Sequence, residues 1–191
     1  APELVAGLAQ LAEARRKRAI TIAERLEKQG FVGALEGALA LADGREVGRP
    51  DFARWMVDRE HVKSVNDAFD KYLGAGKIGD VKAYWPELQE VVAWISAASG
   101  AAVLAHPLKY KYARSKLRRL IADFKTAGGG ALEIYSGRQT EDHTTQLKNL
   151  QNEFGLLASA GSDFHGKRDY GPTLGVDVTR LGNVQALWGA V

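Results

Sequence analysis

Residues 101–166 read AAVLAHPLKYKYARSKLRRLIADFKTAGGGALEIYSGRQTEDHTTQLKNLQNEFGLLASAGSDFHG. Three apolar runs in this stretch, Ala101–Ala105, Ala131–Tyr135 and Leu156–Ala160, are too short for helices and are bounded by turn residues. Two helical patterns separate them. One covers Ser115–Thr126 and is broken by Gly128, Gly129 and Gly130; the other covers Thr140–Phe154. Strands separated by single helices predict right-handed βαβ crossovers and a parallel sheet. Ligands of such sheets and barrels bind at the carboxyl ends of the strands. Those ends read His106-Pro107, Ser136-Gly137-Arg138 and Gly161-Ser162-Asp163-Phe164-His165-Gly166, so two of the four histidines fall where chemistry is expected.

Upstream of this stretch the pattern is helical. Leu4, Leu8, Leu11, Ile22 and Leu26 recur at helical spacings until Gly30. Further helices are predicted over Gly33–Ala42, Pro50–Arg59 and from the N-cap Ser64 to just before Gly74. A Gly-rich basic loop covers Ala75–Lys82, and a helix covers Pro86–Ala98. The chain divides, on this reading, into an all-helical segment 1–76 and an α/β segment 77–191.

Composition narrows the class further. The chain has 191 residues, 46% of them hydrophobic, enough to bury roughly 70% of the unfolded surface without staples, which excludes disorder. With no cysteine, neither a disulfide framework nor a thiolate metal site is available. No apolar run spans a membrane, and the first residues lack the order of a signal peptide, so a cytoplasmic protein with no membrane partner is expected. The formal net charge of +3 is compatible with a phosphate-bearing substrate.

Asp163 and His165 are two apart, and in extended backbone both side chains face one side, where a carboxylate and an imidazole suit manganese, iron or zinc. The competing reading is a turn-capping aspartate and a surface histidine. Pro107 bars the right-handed helix at His106 and predicts extended backbone there. Taken alone His106 is as well explained as a structural histidine; beside Asp163 and His165 it reads better as a third ligand. Glu133 either points toward the barrel interior and the surroundings of a metal or is a solvated partner for a lysine. His61 and His143 read as surface residues. Ser162 has no base spaced for a triad, and no dinucleotide or Walker-type glycine motif is present. Lys109, Lys111, Arg114, Lys116, Arg118, Arg119 and Lys125, with Tyr110 and Tyr112 interleaved, form a basic cluster after His106. Lys109 and Tyr110 are near enough to the strand end to meet a phosphate or a base, and the later residues read as a solvated helix face.

The stretches VLAHPLKY (103–110) and SAGSDFHG (159–166) resemble the PHP (polymerase and histidinol phosphatase) metal-dependent phosphoesterases. The nearest group hydrolyses nucleoside 3′,5′-bisphosphates and trims short RNA from its 5′ end. ITIAERLEKQGFVGALEGALALA, GRPDFARWMVD and DAFDKYLGAGKIG resemble that group's helical insertion. The resemblance, running roughly from Leu11 to Asp177, implies an α/β fold. The segment 77–191 would be the C-terminal part of a distorted (β/α)₇ barrel, and 1–76 the helical insertion domain. It implies metal coordination by His106, Asp163 and His165, and substrate contacts from Arg49, Lys77, Lys109 and Tyr110. The cofactor would be a divalent metal, foremost Mn²⁺ with Zn²⁺ or Fe²⁺ as alternatives, two or three ions in the intact protein. Such ions would activate a water against a phosphomonoester.

Two departures stand against that pattern. The family's HxH motif, Asp-His pair, Glu and further His do not occur here, so a missing N-terminal segment of the same protein is the expected partner that completes the metal site. The position after Gly48-Arg49-Pro50 usually holds His in the family and here is Asp51, an anion that should weaken phosphate binding unless it points away. The expected activity is hydrolysis of nucleotide phosphomonoesters (a 3′,5′-bisphosphate or short RNA ends), with this chain alone inactive or nearly so. The alternatives are a non-catalytic anion- or RNA-binding degenerate PHP module, or a PHP phosphatase for another substrate such as histidinol phosphate.

Overall fold

The computed structural model describes residues 1–164 and 172–189. The chain forms two compact units that meet at Pro86 and Glu87. That is later than the 76/77 boundary read from the glycine-rich loop, and the hydrogen bonds explain it. Arg18 Nε donates to Val81 O at 2.8 Å and Arg25 Nη1 to Ile78 O at 3.1 Å, tying the segment after Lys77 to the first helix.

In the helical unit, α1 (Pro2–Glu27), α2 (Ala34–Ala42), α3 (Arg49–Asp58) and α4 (Val65–Ala68) follow one another, α4 running into a π-turn over Phe69–Leu73. Ser64 caps α4 as its sequence predicts, accepting from Asp67 N at 3.1 Å. The core is built from Ile22 and Leu26 of α1, Ala34 and Ala38 of α2, Phe52 and Met56 of α3, and Leu73. The first half of the apolar repeat along α1 stays outside it: Leu4 and Leu11 are half-buried and Leu8 is exposed. Small residues on α2 let α3 approach closely. A Cβ at Gly37 would fall inside the Trp55 indole.

The second unit alternates helix and strand as the pattern predicts: α5 (Leu88–Ala97), β1 (Val103–Leu104), a 3₁₀ turn (Pro107–Tyr110), α6 (Arg114–Thr126), β2 (Ala131–Ser136), α7 (Glu141–Phe154) and β3 (Leu157–Gly161). The sheet is parallel in the order β1-β2-β3, with Val103 opposite Ala131 and Ala131 opposite Leu157. An irregularity in β2 between Glu133 and Tyr135 shifts the register, so that Ser136 pairs with Gly161. Leu117, Ile121 and Phe124 recur every three or four residues along α6 and are buried with Leu132 and Ile134 of β2 and Leu147 and Leu150 of α7. Alternation along β2 therefore sends Glu133 to the other face. No helix among the described residues is long and apolar enough to cross a membrane.

Gly37 yields a test of this packing. Alanine there gains up to about 1 kcal/mol of helix propensity but collides with Trp55. Gly37→Ala should lower the stability of the helical unit by about 1–3 kcal/mol, read as a lower urea midpoint by circular dichroism. An unchanged midpoint would mean that Trp55 gives way freely.

Candidate functional site

The carboxyl ends of the three strands bring together His106, Lys109 and Tyr110 from the turn after β1, Glu133 from β2, and Asp163 from the segment after β3. The backbone at the two central positions differs from the extended geometry predicted for them. His106 has φ 34° and ψ 53°, and Asp163 has φ 53°; both are left-handed. Pro107 excludes the right-handed helix at His106, as expected, but leaves this second region accessible, and His and Asp are among the residues that tolerate it best. For Asp163 the same-side argument from extended backbone therefore fails. His165, the third expected ligand, lies outside the described residues.

Glu133 holds the turn in place. Its Oε2 accepts from the His106 backbone N–H at 2.5 Å. The other oxygen, Oε1, would lie only 2.7 Å from a Cβ on Gly161, so a side chain at the end of β3 would push this carboxylate aside. The lysine-partner reading of Glu133 is thus replaced by a bond to the His106 backbone. Three residues on from His106, Lys109 pairs with Asp163 through Nζ and Oδ2. The Tyr110 hydroxyl donates to Ala105 O at 2.8 Å, and its ring meets the His106 imidazole edge-on at 5.8 Å. Burial, reinforced by the charge of Glu133 and by Tyr112, pushes the Tyr110 phenol pKa up and keeps it protonated.

The donor set bears on whether a metal fits. His106 Nδ1 is buried with no hydrogen-bond partner, a state costing about 1–3 kcal/mol unless something takes its lone pair. The Asp163 carboxylate already holds a cation, the Lys109 ammonium. An imidazole nitrogen and a carboxylate oxygen match a borderline divalent ion, so these residues fit one as part of a larger set. They are not a complete set: among the described residues no group of three or more His, Asp or Glu is placed to hold an ion.

Arg49 and Lys77, the other expected phosphate contacts, belong to the helical unit. Arg49 Nη1 donates to Leu73 O at 3.1 Å and lies 3.5 Å from Asp80. Lys77 is exposed. Asp51 has turned inward. It is 3% exposed, accepts from Gly48 N at 2.8 Å through Oδ2, and pairs through Oδ1 with Arg45 at 3.3 Å and with Arg54. Its charge is neutralised locally and closes the first turn of α3, so it does not confront an incoming anion. His61 packs edge-on against Phe31 at 5.1 Å, and His143 lies exposed in the first turn of α7, where its N–H donates to Thr140 Oγ1 at 3.3 Å. A cleft of about 220 Å³ next to the strand ends, lined by Tyr135, Arg138, Ser162, Pro172 and Asp177 among others, was not anticipated from sequence. Only the position of Arg138 just past β2 hinted at it.

No family model matches the chain. The chain is 43% identical over 164 residues to a 5′-3′ exoribonuclease of Haemophilus influenzae, covering 86% of this chain and 60% of that one. It is 41% identical over 177 residues to a 3′,5′-nucleoside bisphosphate phosphatase of Chromobacterium violaceum, covering 90% and 62%. Among solved structures, an amidohydrolase from C. violaceum with bound sulfate and no metal superposes with a TM-score of 0.76 at 41% identity, over 86% of this chain and 58% of that one. A protein of Bifidobacterium adolescentis assigned as a metal-dependent phosphoesterase superposes with a TM-score of 0.72 at 25% identity, over 95% and 62%. The chain thus spans about three fifths of the length of the proteins it matches. Over that span the chain is similar to a 3′,5′-nucleoside bisphosphate phosphatase and a 5′-3′ exoribonuclease, relatives of the PHP family.

Proposed function

We propose that this protein is a divalent-metal-dependent phosphoesterase that hydrolyses phosphomonoesters of nucleotides, either 3′,5′-bisphosphates or the ends of short RNA. The observation that carries the reading is the buried, unpartnered His106 Nδ1 beside the Lys109–Asp163 pair at the carboxyl ends of parallel strands. The names of the relatives, a bisphosphate phosphatase and an exoribonuclease, support the substrate class. In this reading Glu87–Val191 is the C-terminal part of a distorted (β/α)₇ barrel and the helical unit is its insertion domain.

His106, Asp163 and His165 would hold an ion, Mn²⁺ foremost and Zn²⁺ or Fe²⁺ as alternatives, and the remaining ligands for two or three ions would come from the part of the relatives that this chain does not span. Ions so bound supply Lewis acidity toward the phosphoryl group and a water made acidic enough to attack at neutral pH. The chain's own residues do the rest. Lys109, held against Asp163, presents an ammonium where an anionic phosphate arrives. Tyr110, kept protonated by burial, stays a neutral donor. Arg49 and Lys77 are further candidates for phosphate contact, and inward-turned Asp51 leaves that role open to them. Glu133 fixes the direction of His106 by holding its backbone.

Hydrolysis of adenosine 3′,5′-bisphosphate with added Mn²⁺ tests the reading. The longer protein should turn it over, and Asp163→Asn or His106→Ala should each lower Mn²⁺ affinity by at least about tenfold. The 191-residue chain alone should be inactive or nearly so, and full activity from it would refute the assignment of ligands to another segment. Metal-free protein that binds RNA with steep salt dependence and hydrolyses nothing would instead favour a binding module.

Glu133 gives a second test. In the longer protein, Glu133→Ala should cost about 1–3 kcal/mol of stability in urea, because the His106 N–H loses its acceptor. It should also weaken Mn²⁺ binding by about 10–100-fold in calorimetry. Glu133→Gln keeps an acceptor oxygen and should restore most of both. Equal metal affinity in the alanine variant and the parent would remove Glu133 from the site.

A further inference from the structure

The basic segment beyond Tyr110 is more than a solvated helix face. Aromatic rings succeed one another outward from the strand ends. His106 meets Tyr110 at 5.8 Å, and Tyr110 meets Tyr112 at 5.8 Å with 48° between the planes. Lys116 Nζ then lies 4.0 Å from the Tyr112 ring centroid. Tyr112 nevertheless stays 42% exposed. With Ser115, Lys116, Arg119, Leu120 and Asp123 it lines a groove of about 610 Å³ along α6.

The charges here are arranged unlike those of an ordinary surface helix. The first turn of α6 holds no acidic residue and begins with Arg114, followed by Lys116, at the helix end where cations are disfavoured. Arg118 is committed to Glu153 on α7, and Lys125 donates to Gly155 O at 2.9 Å. Lys116 and Arg119 face the groove, where Asp123 is 3.9 Å from Arg119 Nε, a long and exposed contact of little strength. An anion lying across these cations would offset the unfavourable charge at the start of the helix.

We propose that this track binds single-stranded RNA: the nucleotide adjoining the one at the strand ends places its base against Tyr112 and its phosphate on Lys116 and Arg119. Stacking on tyrosine accepts any base, and a paired ammonium and guanidinium recognise the backbone, the combination by which proteins hold single strands without reading sequence. The inference rests on the phosphoesterase reading of the strand-end site and adds to it a preference for chains of two or more nucleotides over a mononucleotide.

The test compares a 3′-labelled hexaribonucleotide carrying a 5′ phosphate with adenosine 3′,5′-bisphosphate. Binding of each to the 191-residue chain is measured, by fluorescence anisotropy for the first and by calorimetry for the second. Tyr112→Ala should weaken hexanucleotide binding about tenfold or more while leaving the bisphosphate within twofold, and Tyr112→Phe should bind like the parent. Lys116→Gln should reduce the slope of log affinity against log salt by about 0.7. The proposal is overturned if the hexanucleotide binds no tighter than the bisphosphate, if Tyr112→Ala weakens both alike, or if heparin competes equally against parent and Tyr112→Ala. Hydrolysis by the longer protein separates the two readings. Turnover of the bisphosphate with no Tyr112 dependence of RNA binding sinks this inference alone; Tyr112-dependent RNA binding with no turnover of either ligand sinks the phosphoesterase reading.

Discussion

One carboxylate organises the strand ends. Glu133 stands on the middle strand and reaches both neighbours, accepting from the backbone of His106 after β1 and lying over Gly161 at the end of β3. Parallel strands are otherwise joined only by their ladders, which end before the loops begin. A charge placed across those ends ties the loop after β1 to the middle strand, and it does so through the His106 backbone and not through the imidazole. The shift of register in β2 just after Glu133 belongs to the same arrangement, because it re-aims the strand immediately beyond the residue doing the tying.

The helical unit solves a different electrostatic problem. Asp51 is buried, and an uncompensated buried carboxylate would be costly, yet two arginines and a backbone N–H surround it. The acid at this position therefore shapes the interior of the unit and not the charge presented to a ligand. This is a case where the type of a residue misleads about its role until its burial is known.

Much of the architecture was legible because periodicity reports burial directly. The Leu117-Ile121-Phe124 stripe, the short apolar runs and the cap Ser64 each predicted an element that the structure contains. What could not be read was set by contacts distant in sequence. The Lys109–Asp163 pair and the Glu133–His106 bond join residues that no local pattern connects. The left-handed backbone at His106 escaped for a narrower reason: a following proline removes one region of backbone space, and the choice between the two that remain is made by tertiary structure. In α1 the hydrophobic spacing was real, but Leu8 is exposed, since periodicity identifies a face without saying that anything covers it.

The conformation of His106 limits what could ever replace it. A φ of 34° strains β-branched and bulky side chains, while glycine, asparagine and aspartate enter that region readily. Of those three, aspartate and asparagine alone carry a side-chain atom able to meet a cation. If His106 holds an ion as proposed, the repertoire of alternative ligands at this position is narrowed by the backbone before coordination chemistry is consulted. A glutamate or cysteine there would first have to deform the turn that Glu133 and Pro107 hold.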